Sequence, residues 1–390
     1  MRIFVILPRI PYPLEKGDKL RAFHQVKALS KNNEIILCAL NHNQKLDQQE
    51  AFSKLQPYCR SINFIDLPWY AIPFNIIRAF FKHLPLQVGY FYNARANKKI
   101  QKLFDEYKPD RVYCQLLRTA EYGVNLPAFK TIDYQDVFSY GVKRRIEKAP
   151  FWMKPILKLE YKRLLAYENK MFDLFNEKTI ISLPDRKLIR HPNRDKIHII
   201  PNGVDHDFFS PMEKPKEHDV VFTGNMSYPP NIDAAGFLVK EVMPLVWKKM
   251  PQVKIMLAGA NPDNKVKALE SEKVKVSGWM DDIRDAYASS IVFIAPMRIG
   301  TGLQNKLLEA MSMKIPSITT PLANDALQAE NGKEILIGKD AAGLAQHIID
   351  LLSNEEANND IAAAGYNFVH QRYSWYEASV KLENAMKIEG

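Results

Sequence analysis

The chain has 390 residues, enough for about two domains, and is 46% hydrophobic and 25% charged. That balance excludes a disordered or collagen-like protein. The absence of any apolar run of about 18 residues leaves no expected transmembrane helix. Three cysteines (Cys38, Cys59, Cys114) lie far apart without CxxC spacing. This excludes a disulfide framework and a cysteine zinc site, and it points to the reducing cytoplasm. Residues 1–7 are too short an apolar run for a signal peptide, since Pro8, Pro11 and Pro13 follow at once. The net charge of +10 is uneven: residues 1–200 carry +16 and residues 201–390 carry −6. A basic half suits an anionic lipid surface, a phosphate-bearing acceptor or nucleic acid, and a merely solvated basic surface reads the same way.

In chain order, a strand over Arg2–Leu7 is followed by a Pro/Gly loop and a helix from about Asp18, with Leu20, Phe23, Val26 and Leu29 at helical spacing. Strands follow near 34–40, 61–65, 111–114, 130–133, 178–181 and 197–200, with helical stretches between most of them. Residues 201–217 read as a linker rich in proline, glycine, asparagine and charge. The alternation then restarts, with strands near 219–222, 253–257, 274–276, 291–295 and 317–319 and helices between them. The expected fold class is α/β: two Rossmann-like doubly wound domains, 1–200 and 218–372, facing a cleft. Such sheets bind ligands beyond the carboxyl ends of their strands.

The most informative segment runs Pro296-Met-Arg-Ile-Gly-Thr-Gly-Leu-Gln-Asn-Lys-Leu-Leu-Glu-Ala-Met311, after an apolar strand. Thr301 and Gln304 have capping-box spacing, so a helix is expected to open near Gly302. Its first-turn amides, around Gly300, Thr301, Gly302 and Leu303, favour an anion there. The glycines let the backbone approach it closely. Arg298 and Lys306 offer a fork and a point charge for a diphosphate. Glu309, one turn on, is placed to accept hydrogen bonds from a ribose diol. An ordinary capped helix with an exposed Lys306–Glu309 pair has the same spacing.

This segment resembles the donor-binding helix of glycosyltransferase family 4. Ile200-Pro-Asn-Gly-Val-Asp205, followed by Phe208, is similar to that family's interdomain motif. The start, from Pro8 to His24, and the stretch Phe222-Thr-Gly-Asn-Met-Ser-Tyr-Pro-Pro-Asn-Ile-Asp-Ala234 resemble a subgroup associated with exopolysaccharide systems. The resemblance implies a GT-B fold and transfer of a sugar from a nucleotide diphosphate donor with retention of configuration. It implies a polysaccharide or lipid-linked glycan acceptor, no metal and no further cofactor. It also implies a last helix, within 373–390, that crosses back to the N-terminal domain. UDP is the favoured donor base on family frequency. A nucleotide-sugar epimerase of the same fold is the alternative, and no nucleic-acid partner is implied.

The chain departs from the family pattern at two places. Glu309 fills the second of the family's two motif glutamates, and Thr301 stands at the first, which usually touches the donor sugar. The Arg and Lys that many relatives carry after the first strand of the second domain are absent from 224–231. Gly224, Asn225 and Asn231 are then donor-site candidates without charge, the two asparagines as neutral donors, and Arg298 is the candidate replacement cation.

On the acceptor side, Gly17 precedes the first helix and permits a tight loop whose amide reaches a phosphate or the acceptor. Asp18 reads equally as a helix cap, and Lys19 and Arg21 are candidates to meet an anionic acceptor. Asp133 and Asp136 flank a strand end. The resemblance makes either of them, with Arg298 and Lys306, a candidate catalytic group, since a carboxylate there stabilises positive charge building on the sugar. A helix cap is the competing reading for Asp136. Asp205-His206-Asp207 matches a metal-binding tripeptide of other transferase folds, but in the linker motif it reads as structural. Residues 69–92 are aromatic and apolar with interspersed Arg78, Lys82 and His83. They suit either a core or peripheral contact with the inner membrane surface.

Overall fold

The computed structural model describes residues 1–14, 16–42, 47–300 and 302–387 and, of Lys148, the backbone. Thr301, an expected donor contact, lies outside the described residues. The chain divides into two units, one of Met1–Pro201 with the chain from Ala378 onward, the other of Asn202–Glu377.

In the first unit the strands are β1 (Arg2–Leu7), β2 (Glu34–Asn41), β3 (Ser61–Asp66), β4 (Arg111–Gln115), β5 (Phe129–Asp133), β6 (Glu177–Ile180) and β7 (His198–Ile199). They form one sheet in the order β3-β2-β1-β4-β5-β6-β7, and the pairs are parallel. Side chains alternate across a strand, so β1 sends Phe4 and Ile6 into one core and Ile3, Val5 and Leu7 into another. Both faces are covered, as a parallel sheet requires. The helix Gly17–Leu29 packs Ala22, Val26 and Leu29 onto one face, and Ala378, Leu382 and Met386 of the helix Trp375–Lys387 join the same core. The backbone carbonyl of Met386 accepts a hydrogen bond from Arg111 Nε at 2.7 Å.

The segment 69–92 forms a one-turn helix (Trp69–Ala71), a helix Ile72–Phe81 and a short helix Leu86–Phe91. Pro73 does not break the second of these, because it falls in the first turn, where no amide donor is needed. Ala79, Val88 and Phe91 are buried, while Trp69, Tyr70, Phe74, Ile77 and Phe81 are exposed. Core and surface thus share the segment.

Asp133 is not an open catalytic carboxylate. It ends β5 fully buried, in an ion pair with the equally buried Arg21. Arg21 donates from Nε and Nη2 at 2.7 and 3.1 Å, Tyr113 OH at 2.9 Å and Thr179 Oγ1 at 2.8 Å. Every acceptor direction of the carboxylate is thereby used. The pair also removes Arg21 from the residues able to meet an acceptor.

In the second unit the strands are β8 (His218–Thr223), β9 (Ile255–Ala258), β10 (Val274–Gly278), β11 (Ser290–Ala295), β12 (Ser317–Thr319) and β13 (Leu336–Ile337). Their order is β10-β9-β8-β11-β12-β13, again with parallel pairs. The residues read as a linker are built into this unit. Val204 bridges Ser374 and donates its amide to Tyr373 O at 2.8 Å, and His206 Nδ1 lies 3.0 Å from Ser312 Oγ. Gly203 explains the glycine of the motif, since a Cβ there would stand 2.2 Å from the Trp375 amide nitrogen.

Replacing Asp133 with alanine leaves the Arg21 guanidinium buried without its counter-ion. We expect a loss of about 3–5 kcal/mol in urea unfolding. A loss below about 1 kcal/mol would contradict a structural role for the pair.

Candidate active site

In the second unit the strand order reverses between β8 and β11. In doubly wound sheets this is where adjoining loops leave on opposite sides and open a crevice. The loop after β8 and the helix Asn305–Ser312, which follows the loop after β11, meet there. Lys306 Nζ donates to Asn231 Oδ1 at 2.7 Å and stands 4.4 Å from the centre of the Phe222 ring. Asn231 is itself fixed, donating from Nδ2 to the carbonyl of Asn225 at 2.8 Å. Gly224 has φ +152, and a Cβ there would stand 2.8 Å from Lys306 Nζ and 2.7 Å from Asn231 Nδ2. Glycine is needed at this point for both backbone angle and space.

Lys306 and Glu309 are half-buried. Desolvation pushes the lysine down to about 7, opposed by the nearby Glu309. Desolvation raises Glu309, while the hydrogen bond from Tyr287 and the charge of Lys306 draw it back. Tyr287 OH donates to Glu309 Oε2 at 2.7 Å and lies 2.7 Å from Thr223 Oγ1. A two-hydroxyl chain from the end of β8 therefore orients the carboxylate. The result is a cation of adjustable charge with an acceptor carboxylate one helical turn away, which suits a phosphate and a diol.

Three expectations about the neighbouring residues change. The helix opens at Asn305, not near Gly302, and Gln304 at its N-cap makes no side-chain cap. Gly300 and Gly302, at φ 124 and 83, hold the preceding loop out of helical geometry. Leu303 packs partly buried against the core. Arg298 does not join Lys306. Its Nε and Nη2 grip Asp233 at 3.1 and 3.0 Å, Nη1 reaches Glu241 at 3.3 Å, and the guanidinium lies 4.2 Å from the Phe237 ring centre. Two carboxylates on the helical stretch after β8 thus take the fork intended for a diphosphate. Asn225 closes its own turn, accepting from Ser227 N and Oγ at 3.0 and 2.7 Å.

The remaining expected site residues belong to the first unit. Gly17 opens its helix with no atom within 4 Å of where a Cβ would stand, so nothing local demands glycine. Asp18 does not cap that helix but pairs with Arg9. Asp136 is exposed, three residues past β5. Arg118 and Arg144 favour its charged form, against Asp185. The Asp205-His206-Asp207 tripeptide is structural. Asp205 accepts from the amide of Phe208 at 3.2 Å, and the His206 ring stacks on His370. Among the described residues no group of three or more His, Cys, Asp or Glu side chains is placed to hold a metal.

Tyr287, Thr223 and the positioning part played by Asn231 were not expected from the sequence. Tyr287 is 22 residues from Glu309 and on another element, and no local spacing marks it.

Residues 217–354 match the family model described as "Glycosyl transferases group 1". A curated relative, an uncharacterized 44.6 kDa protein in the cps region of Klebsiella pneumoniae, is 23% identical over 397 residues, covering 95% of this chain and 96% of that protein. Among solved structures, Anabaena Alr3699/HepE in complex with UDP and glucose is similar at TM-score 0.68 and 13% identity, covering 99% of both chains. Sucrose-phosphate synthase from Thermosynechococcus elongatus gives 0.67 and 14% with 98% of both chains covered. A glycosyltransferase from Rickettsia africae gives 0.68 and 16% with 98% and 97% covered. By fold, two Rossmann-like parallel-sheet units in series, the chain is similar to these GT-B structures, and by sequence residues 217–354 of its second unit match the group 1 glycosyltransferase model.

Proposed function

We propose that the protein is a retaining, metal-independent glycosyltransferase of the family 4 type. It moves a sugar from a UDP-sugar to a glycan or lipid-linked acceptor in polysaccharide biosynthesis. The observation that carries this reading is the half-buried Lys306, held by Asn231 over Phe222 against the bare backbone of Gly224, with Glu309 a turn away. The UDP and glucose bound to the HepE protein and the cps-region setting of the Klebsiella relative support the donor and the pathway class. Neither gives comparable support to an epimerase.

In this reading the bond from the anomeric carbon to the diphosphate oxygen breaks while the acceptor hydroxyl bonds to the same face of the sugar, and its proton passes to the departing phosphate. Lys306 stabilises charge developing on that phosphate, inside a desolvated setting where the attraction is stronger than in water. Glu309, oriented by Tyr287, accepts from the ribose hydroxyls. The backbone around 300–303 takes the sugar contact that the missing glutamate leaves open. Asp136 offers negative charge to an oxocarbenium-like transition state. Arg298 serves the loop through Asp233 and Glu241 and does not act as the replacement cation.

The exposed Phe74, Ile77 and Phe81, with Trp69 on the one-turn helix just before, stand on a helix anchored by the neighbouring helix Lys154–Leu174. Arg163 of that helix donates to Phe80 O and Leu84 O at 3.0 and 3.3 Å, and Phe151, Trp152 and Ile156 near its start are exposed as well. With Lys154 and Lys158 beside them, these rings suit the interface of an anionic membrane. No helix among the described residues is long and apolar enough to cross one.

Lys306→Ala is expected to weaken UDP binding by about tenfold to a hundredfold, since a hydrogen bond to a charged group contributes about 1.5–3 kcal/mol. Arg298→Ala should stay within about threefold of the parent. Equal losses in both variants, read by calorimetry, would restore Arg298 to the site.

Because the pKa of Lys306 is lowered to about 7 in the free protein and a diphosphate favours its charged form, UDP binding takes up a proton above about pH 7. Affinity should fall as pH rises, by at most about tenfold per unit. Titrations in buffers of different ionisation heat read the uptake directly, and Lys306→Arg should abolish it.

Phe74→Ser with Phe81→Ser should abolish co-sedimentation with phosphatidylglycerol vesicles while leaving UDP binding unchanged. Retained co-sedimentation would remove this face from the membrane reading.

A further inference from the structure

The first unit carries its own switch point. Its strand order reverses between β1 and β4, and β2 lies on the other side of β1. Arg9 stands two residues past β1, His42 one past β2 and Arg118 three past β4. Their strands are neighbours, so these side chains emerge along one edge, and the ring of Phe91 gathers them. The guanidinium carbon of Arg118 is 4.9 Å from the ring centre, that of Arg9 5.8 Å, and the His42 ring meets it edge-on at 4.5 Å. Arg118 is also 4.8 Å from the ring of Phe138.

The partners of the three differ in a telling way. Arg9 is paired with Asp18. Arg118 is half-buried and its Nε has no hydrogen-bond partner among the described residues. Asp18 and Asp136 attract Arg118 without forming an ion pair with it among the described residues. Both ring nitrogens of His42 are buried without partners among the described residues. Buried polar groups are rarely left so. The charges agree: burial and the proximity of Arg9 both work against the charge on Arg118, and the two arginines with burial push His42 down to about 4. The backbone leading into Arg118 is strained as well. Leu116 holds φ 62 and ψ 154, a region that side chains avoid, and is fixed there by its amide donating to Asp133 O at 2.8 Å. The fold thus holds like charges and a strained backbone together at this edge.

We infer that Arg118, with Arg9 and His42 around Phe91, seats the anionic group of an acidic acceptor, a sugar phosphate or a uronic acid. This inference rests on the glycosyltransferase reading for the word acceptor, while the anion seat itself rests on the first unit alone. Arg118 presents its planar fork to two oxygens of the anion, and Arg9 lends a second charge. Phe91 and Phe138 shield the pair from water, which strengthens it. His42 in its neutral form donates one N–H.

The test is calorimetry on the full chain without nucleotide, using glucose 6-phosphate, glucuronate and glucose as probes. The wild type is expected to bind at least one charged sugar and not glucose, and the better of the two identifies phosphate or carboxylate as the natural group. Arg118→Ala should weaken that binding by about tenfold or more. Arg118→Lys, which keeps charge but not the fork, should fall between. Lys306→Ala should leave it intact. The proposal is overturned if no charged sugar binds, if glucose binds as well as the acids, if Arg118→Ala and Arg9→Ala bind them like the wild type, or if Lys306→Ala rather than Arg118→Ala removes the binding. UDP titration of the same samples reports the donor site and the folding of each variant. Loss of UDP binding in the wild type with the acid seat intact sinks the transferase reading alone, and the reverse pattern sinks this one alone.

Discussion

Lys306 is a cation that the second unit surrounds with a neutral amide and an aromatic ring, keeping its carboxylate at a distance. Asn231 takes the hydrogen bond, Phe222 lies under the ammonium, and Glu309 is turned to Tyr287. A direct ion pair would have fixed the charge and filled the site. An arrangement without one leaves the ammonium poorly solvated and poised for an anion. Much of the local sequence serves this. Gly224 clears the space, Asn225 holds Asn231, and Thr223 and Tyr287 keep Glu309 from folding back onto the lysine.

Two carboxylates near the end of β5 show the same chemistry put to opposite uses. At the end of β5 the carboxylate of Asp133 receives four hydrogen bonds and is closed to solvent, so it stabilises and cannot react. Three residues later Asp136 is open to solvent. Between them Gln135 takes a positive φ of 60, the bend that sends one carboxylate inward and the next outward. Two acids so close in sequence looked interchangeable, and the turn separates them.

What the sequence made legible was periodic or local. Apolar runs marked the strands, so the expected 219–222 became His218–Thr223 and the expected 130–133 became Phe129–Asp133. The segment from Pro296 to Met311 stood out because glycines, a lysine and a glutamate keep fixed spacing along one loop and helix. What stayed hidden depends on partners distant in the chain. Arg298 is taken by Asp233, 65 residues away, and Asp133 by Arg21, 112 residues away. A side chain's charge is visible in sequence, but its occupancy is not. The helix start was misplaced because the capping-box pattern says nothing of the positive φ at Gly300 and Gly302. The loop-like composition of 201–217 gave no sign that its backbone pairs at Val204 with Tyr373 and Ser374.

The charge asymmetry gains a physical sense from these contacts. In the acidic second unit Lys306 at the switch point has its pKa lowered to about 7, and its neighbour Arg298 is held by two carboxylates, so positive charge there is local and conditional. In the basic first unit the switch point holds two guanidiniums against one ring, with a carboxylate compensating only Arg9 directly. A surface that is basic merely for solubility would spread its arginines into water, where each is well solvated. Here two are drawn together beside Phe91 at the edge where parallel sheets bind ligands, and the strained Leu116 backbone lies just ahead of one of them. Repulsion of that kind persists only where the surrounding fold enforces it, and an incoming anion relieves it.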